Sequence, residues 1–137
     1  MARIRQYREE DRKGVLAIWQ SVFNDNQPHN EPERSLNAKL AMNDRLLFVA
    51  EHADQVIGTV MAGYDGHRGW IYALCVDPDH RREGIGSALM QAAALGLKAQ
   101  GCVKVNLQIR SGNEAVQKFY QKLGFSAEPR ISMGRLL

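Results

Sequence analysis

Val76-Asp77-Pro78-Asp79-His80-Arg81-Arg82-Glu83-Gly84-Ile85-Gly86-Ser87-Ala88-Leu89 is the stretch on which the reading of this chain turns. An apolar, strand-like run ends at Pro78, a basic turn follows, and two glycines open an Ala/Leu-rich segment with helical spacing that runs to Gln100. A strand that turns through glycines into a helix points the spare N–H groups of the first helical turn outward, at the positive end of the helix dipole. Glycine lets the main chain come close to a ligand there, and such a terminus suits a phosphate or pyrophosphate. Arg81 and Arg82 add charge-assisted donors at the same spot. Plain strand-to-helix turn chemistry would leave the same two glycines, so the ligand must be argued from context. A P-loop needs Gly-Lys-Ser/Thr, whereas Gly86 is followed by Ser87-Ala88, and a dinucleotide fingerprint needs glycine where Leu89 stands.

Working outward, residues 3–7 alternate as an edge strand, and Glu9-Glu10-Asp11 supplies the acidic first turn of a helix whose apolar face is Val15, Leu16, Trp19, Val22 and Phe23. Asn24 to Pro32 is rich in loop formers, and Glu33 to Met42 is a second helix with Leu36, Leu40 and Ala41 or Met42 inward. Strands over 46–51, 56–62 and 70–76, joined by turns at 53–55 and 63–69, predict an antiparallel meander. A helix over 84–100 closes at Gly101, Val103 to Ile109 alternates as a strand, and Asn113 to Leu123 is helical up to Gly124. Phe125 to Leu137 is expected as short, irregular strand. The order βααβββαβαβ(β) describes one α/β (α+β) domain over residues 1–137, with a mixed central sheet.

At 137 residues the chain has the length of one domain, and its 45% apolar and 24% charged composition is that of a globular protein. Disorder, collagen-like repeats and a disulfide scaffold are excluded on those grounds. No apolar run approaches the ~18–20 residues of a membrane span, and Met1 to Arg5 carries no signal-like segment, so a cytoplasmic location with no membrane partner is expected. Cys75 and Cys102 are isolated thiols, and the four histidines form no ligand pair, so no metal is expected. The net charge of +3 lacks the clustered Lys/Arg and exposed aromatics of a nucleic-acid footprint, and no nucleic-acid partner is expected.

Arg81-x-x-Gly84-x-Gly86, preceded by Leu74-Cys75-Val76-Asp77-Pro78, resembles the cofactor-binding signature of the GNAT superfamily of N-acetyltransferases and its fourth strand. Asn113 through Tyr120-Gln121-Lys122-Leu123-Gly124-Phe125 resembles that family's Asn…Tyr-x-x-x-Gly-Phe segment, in the expected order and one helix and one strand downstream. The likeness runs from Ile4 to about Phe125 and is nearest to small bacterial members of the YpeA type, through Gly58-Thr59-Val60-Met61 and Gly63 to Gly69.

The resemblance implies acetyl-CoA as co-substrate and an amine acceptor, a small molecule or a protein N-terminus, acetylated directly in a ternary complex. It implies that main-chain N–H groups from Arg82 through Glu83, Gly84, Ile85, Gly86 and Ser87 hold the pyrophosphate, with Arg81 beside them. A V-shaped split between strands 4 and 5, from a bulge at Leu74 to Val76, would receive the pantetheine arm as an added strand. The main chain at Leu74 would hold the thioester carbonyl, Asn113 would bond the arm, and Tyr120 would supply a proton or strong hydrogen bond to the leaving sulfur. Taken alone, Tyr120 on an apolar helical stripe reads as core.

The general base is open. Gln108 stands where a fifth-strand glutamate serves in ribosomal-protein acetyltransferases, leaving a water relay or Asp65, His67 and Tyr72 as replacements; Glu51 and Glu83 read as surface charges. Asp25, His29, Glu31, Asp65 and His67 could line a site for a cationic amine, or could simply end helices and turns. Cys75 reads as an inert core thiol rather than a covalent nucleophile. The alternatives are an acyl-CoA-binding sensor or partner-binding module without catalysis, and a nucleotide or RNA binder using 81–87. The oligomeric state is expected to be monomer or homodimer.

Overall fold

The computed structural model describes residues 2–23 and 27–137, and the chain falls into two compact units that meet in sequence between Leu107 and Gln108. The first unit is built on a five-stranded sheet in the order β1-β2-β3-β4-β5: β1 (Arg3–Gln6), β2 (Leu47–His52), β3 (Gln55–Tyr64), β4 (Gly69–Val76) and β5 (Val105–Leu107). The first three pairings are antiparallel and β4–β5 is parallel, joined by a crossover through α3 (Ile85–Ala99). The mixed α/β class and the element order through the fourth helix agree with the sequence reading.

The meander follows from its turns. His52 pairs with Gln55 across Ala53-Asp54, both at positive φ (50° and 63°), the paired left-handed conformation of a tight hairpin that matches strand twist. The β3–β4 loop is held by Asp65, whose Oδ1 accepts from the N–H groups of His67 (2.8 Å) and Arg68 (2.7 Å).

Alternation along β3 assigns the two faces of the sheet. Thr59 faces α1 (Arg12–Val22), which buries Val15, Ile18 and Trp19 against Leu36 of α2 (Pro32–Ala41) and Leu47, Val49 and Cys75 of the sheet. Its neighbour Gly58 faces α3, and a Cβ there would lie 3.1 Å from Leu89 Cδ1, so the glycine allows the helix to seat. Buried Leu89, Ala93 and Leu97 continue that contact along α3.

Several details depart from expectation. Glu9–Asp11 is a 3-10 turn ahead of α1, and Asp11 is buried: Arg5 reaches it through two bonds of 2.8 and 2.9 Å while the Arg8 N–H donates to the same carboxylate at 2.8 Å. Burial opposes its charge, but these donors win and hold the carboxyl below the usual range. Ile18 replaces Phe23 in the inward stripe, since the helix ends at Val22. In α2, Lys39 rather than Ala41 or Met42 turns inward, bonding Asp44 at 2.7 Å and the Ala62 carbonyl. The fifth strand is three residues long, not seven, so Gln108 lies beyond it.

The second unit, 108–137, contains α4 (Glu114–Lys122). Asn113 caps it, accepting from the Val116 N–H at 3.3 Å. Phe125 to Leu137 forms no strand, contrary to expectation: Pro129 interrupts the segment, Ile131 and Met133 are about 90% exposed, and no ladder satisfies its main chain.

Candidate active site

The candidate site in the first unit is the far half of β4 and the turn after it. The β4–β5 ladder consists of Gly69↔Val105, Trp70↔Asn106 and Ile71↔Leu107, and β4 then continues from Tyr72 to Val76 without a strand partner on that side. The expected split between strands 4 and 5 is therefore present as an early end to their pairing. On the other side β4 is bulged. Thr59 pairs with Cys75 but Met61 pairs with Tyr72, so Ala73-Leu74 carries one residue too many for β3. Ala73 absorbs it at φ 52°, a left-handed conformation costing a non-glycine residue roughly 1–2 kcal/mol. The bulge lies at Ala73-Leu74, one position ahead of the expected 74–76.

Thr59, fully buried, sits beneath this bulge. Its hydroxyl donates to the Ala73 carbonyl at 2.8 Å, accepts from the Trp19 indole N–H at 2.8 Å and lies 3.3 Å from Cys75 Sγ. With the one hydroxyl proton committed to Ala73, the Cys75 thiol is the donor in the last contact. Burial raises the Cys75 pKa, which keeps it a thiol and supports its reading as core.

From Val76 the chain passes through the 3-10 turn Pro78–His80, capped by Asp77 on the Asp79 N–H at 2.9 Å, to Gly84. The Arg81 Nε donates to the Val76 carbonyl at 3.2 Å, anchoring the guanidinium at the end of β4. Arg82 (φ 66°) and Gly84 (φ 78°) both adopt left-handed conformations, and Gly84 is the N-cap of α3 with no side chain capping the helix. The first intrahelical bond here is Ala88 N–H to Gly84 C=O at 3.1 Å, so the N–H groups of Ile85, Gly86 and Ser87 have no acceptor within α3. A Cβ built on Gly84 meets nothing within 4 Å, so conformation rather than crowding selects the glycine. This is an open donor set suited to an anion.

In the second unit the Tyr120-x-x-x-Gly124-Phe125 segment has a physical explanation. Phe125 N–H bonds Tyr120 C=O (3.1 Å) and Gly124 N–H bonds Gln121 C=O (3.1 Å), with Gly124 at φ 96°, which is a Schellman cap. The Phe125 ring meets Tyr120 edge-on at 5.6 Å and Phe119 does so at 5.1 Å, which fixes the tyrosine ring in place. Burial pushes the Tyr120 phenol up to about 12, so it holds its proton throughout the neutral range.

The base and acceptor candidates fare differently. Asp65 is committed to its turn, and the Arg68 and His67 N–H groups lower its pKa. His67 is exposed in that loop. Tyr72 is half-exposed, and burial with the nearby Asp65 charge raises its pKa, away from a base's range. Gln108 Nε2 donates to the Ser132 hydroxyl. Glu31 caps α2, accepting from Glu33 and Arg34 N–H groups at 3.1 and 2.8 Å. His29 is exposed in the turn before α2, Glu51 bonds Arg5 at 3.2 Å, Glu83 lies 3.8 Å from His80, and Asp25 lies outside the described residues. Among the described residues no group of three or more His, Cys, Asp or Glu could hold a metal ion, and no helix is long and apolar enough to cross a membrane.

The profile of the acetyltransferase (GNAT) family matches residues 12–125, which takes in the bulged strand, the Gly84 cap and the Tyr120 helix. The chain belongs to the acetyltransferase (GNAT) family. It is 40% identical over 128 residues to an acetyltransferase of Sodalis glossinidius, covering 93% of this chain and 89% of that one. Among solved structures, Ard1 from Thermoplasma volcanium superposes with a TM-score of 0.77 at 27% identity, over 91% of this chain and 82% of that one. PaiA N-acetyltransferase from Thermoplasma acidophilum, solved with coenzyme A, shares the fold with a TM-score of 0.81 at 19% identity, over 96% and 93%. Thr59, read in the sequence within a motif but given no role, is the residue that holds the bulge from beneath. Its signal was available: it is the one hydroxyl in the run Val56-Ile57-Gly58-Thr59-Val60-Met61, at a position where β3 faces the core.

Proposed function

We propose that the protein is an acetyl-CoA-dependent N-acetyltransferase that acetylates a primary amine, in a small molecule or at a protein N-terminus, by direct transfer in a ternary complex. The observation that carries this reading is one continuous piece of main chain. A bulged β4 loses its β5 partner after Ile71 and runs into the Gly84-capped start of α3. An extended thioester arm can add to the open edge of β4, and its pyrophosphate can sit on the N–H groups from Arg82 through Ser87. Arg81, Gly84, Ile85 and Gly86 shape that cradle, Val76 and Leu74 present the strand edge, and Asn113 bonds the arm.

In the reaction the amine nitrogen forms a bond to the thioester carbonyl carbon, and the C–S bond breaks. The amine loses a proton, the sulfur gains one, and amide and thiol are the products. Negative charge growing on the carbonyl oxygen is met by the Leu74 N–H. Tyr120 serves the sulfur. Its phenol at about 12 is a weaker acid than a thiol near 8.5, so it stabilises the departing thiolate by hydrogen bonding rather than by full proton transfer. The co-substrate, the location in the cytoplasm, the single functional domain over residues 1–137 and a monomeric or homodimeric state all belong to this proposal.

One observation favours a second reading. Gln108 carries no charge, Asp65 is tied into its turn and burial raises the Tyr72 phenol, so the fifth-strand position and two of its three proposed replacements are not disposed to take a proton. A non-catalytic acyl-CoA-binding module fits that, whereas an acceptor that arrives as the free amine needs no base. Thiol release from acetyl-CoA, followed across peptides, polyamines, amino acids and aminoglycosides, decides between them. Release with at least one amine class supports the transferase, and tight acetyl-CoA binding without release across the panel supports the binding module.

A further inference from the structure

The Ala73 carbonyl and the Leu74 N–H are two ends of one peptide plane. In a planar trans peptide they point in opposite directions, so whatever fixes one aims the other. The bulge removes this peptide from the regular ladder, and the carbonyl accepts instead from the buried Thr59 hydroxyl at 2.8 Å. Thr59 is itself held on three sides, by the Trp19 indole N–H at 2.8 Å, the Cys75 thiol at 3.3 Å and its place in β3. The Leu74 N–H is thereby turned away from β3, to the side of β4 where pairing with β5 has already ended.

We propose that Thr59, locked by Trp19, is a positioning residue that aims the Leu74 N–H at the substrate carbonyl by holding the other end of its peptide. The inference rests on the acetyl-transfer reading above and adds a residue on β3, with a partner on α1, that acts on the reaction without touching substrate. The hydroxyl is what matters, because a methyl in its place fills the same space yet leaves the Ala73 carbonyl unheld. Ala73 sits in a left-handed conformation, so the freed peptide has a ready route back toward an ordinary β geometry.

The experiment compares Thr59→Val, Thr59→Ser and Trp19→Phe with the wild type. In Thr59→Val, kcat should fall roughly 10- to 100-fold, less than or equal to the effect of deleting an oxyanion donor outright. The KM for acetyl-CoA and the affinity for coenzyme A should stay within about twofold, since the cradle at 82–87 is untouched. Thr59→Ser should recover kcat to within a fewfold, and Trp19→Phe should lower kcat in the same direction by less. A Thr59→Val enzyme with wild-type kcat, or a serine variant as slow as valine, would overturn the assignment. So would a loss expressed in KM. The amide resonance of Leu74 in ligand-free protein gives an independent readout: it should shift in Thr59→Val and Trp19→Phe and return in Thr59→Ser, and an unmoved resonance overturns the inference. Should valine prevent folding, Trp19→Phe and serine decide alone. Wild-type protein that neither binds coenzyme A nor releases thiol defeats the acetyl-transfer reading instead, and the Leu74 resonance still decides whether Thr59 aims that peptide.

Discussion

Gly84 and Gly101 stand at opposite ends of α3, and together they separate strain from function. Both are at positive φ, 78° and 93°, and a Cβ on either meets nothing within 4 Å. Alanine at either position therefore pays only for the left-handed conformation, about 1–2 kcal/mol. With an unfolding entropy of about 2.1 cal/mol/K per residue, that lowers Tm by about 3–7 °C for a chain of this length. The two variants should look alike in a thermal melt. They should differ in binding. Gly101 closes a Schellman cap, with its own N–H on Lys98 C=O and the Cys102 N–H on Leu97 C=O, 3.0 and 3.1 Å, and no ligand role is assigned to it. Gly84 sets the direction of the donors that follow, and alanine relaxing toward φ below zero turns the Ile85 and Gly86 N–H groups off their target. One lost charge-assisted bond is worth about 1.5–3 kcal/mol, so coenzyme A affinity should fall by roughly 10- to 150-fold in Gly84→Ala. In Gly101→Ala it should stay within about twofold. Calorimetric titration with coenzyme A is the assay, and equal affinity in the two variants would refute the cradle.

Three further outcomes are expected. Tyr120→Phe should lower kcat by roughly 10- to 100-fold with coenzyme A affinity unchanged; because the native phenol is raised to about 12 from 10, stability should be unaffected by this group below pH 10 and fall as pH rises from 10 through 12, which alkaline unfolding of wild type against Phe checks. Asp11→Asn should cost about 3 kcal/mol in urea unfolding, since the nearly buried Arg5 keeps only Glu51 as an ionic partner; in wild type the lowered Asp11 pKa makes its contribution fall away as pH drops from the ordinary carboxylate value through the native one, and the variant should lack that acid limb. Gly69→Ala places a Cβ 2.8 Å from Cys102 Sγ and should destabilise by roughly 1–3 kcal/mol, and Cys102→Ala in the same chain should recover part of that in a double-mutant cycle.

What could be read in the sequence divides along physical lines. The strands of the meander, α3 and the Gly84 turn were legible because each is specified locally, by alternation, by periodicity or by a residue that tolerates positive φ. The Tyr120-x-x-x-Gly124-Phe125 spacing was legible as a motif, and its cause is now visible as a cap in which Phe125 braces the tyrosine. The inward turns of Lys39 and Asp11 were hidden, because a buried charge is decided by a partner on another element, the Ala62 carbonyl of β3 for the one and Arg5 of β1 for the other. Ala73 was hidden for a related reason. An alanine carries no local signal for a left-handed conformation, and only the mismatch between β3 and β4, stabilised by Thr59, puts it there. Residues 103–109 alternate cleanly, yet only Val105–Leu107 pair with β4 as a strand, since strand length is set by how far the neighbour's ladder extends.

Charge placement bears on how the cradle works. Residues 1–107 contain thirteen basic and thirteen acidic side chains, so the surplus of three positive charges belongs to residues 108–137, with five basic and two acidic, and not to Arg81 and Arg82. Arg81 and Arg82 share their turn with Asp77, Asp79 and Glu83, and Arg81 spends its Nε on the Val76 carbonyl. On the proposed reading, pyrophosphate recognition rests chiefly on oriented main-chain donors, whose partial charges act at hydrogen-bond range. A nucleic-acid binder works the other way, by accumulating cations that displace counterions along a backbone. On the proposed reading, the neutral balance of 1–107 and the N–H groups without a helix acceptor at the start of α3 fit a single phosphorylated ligand whose remaining contacts come from a strand edge.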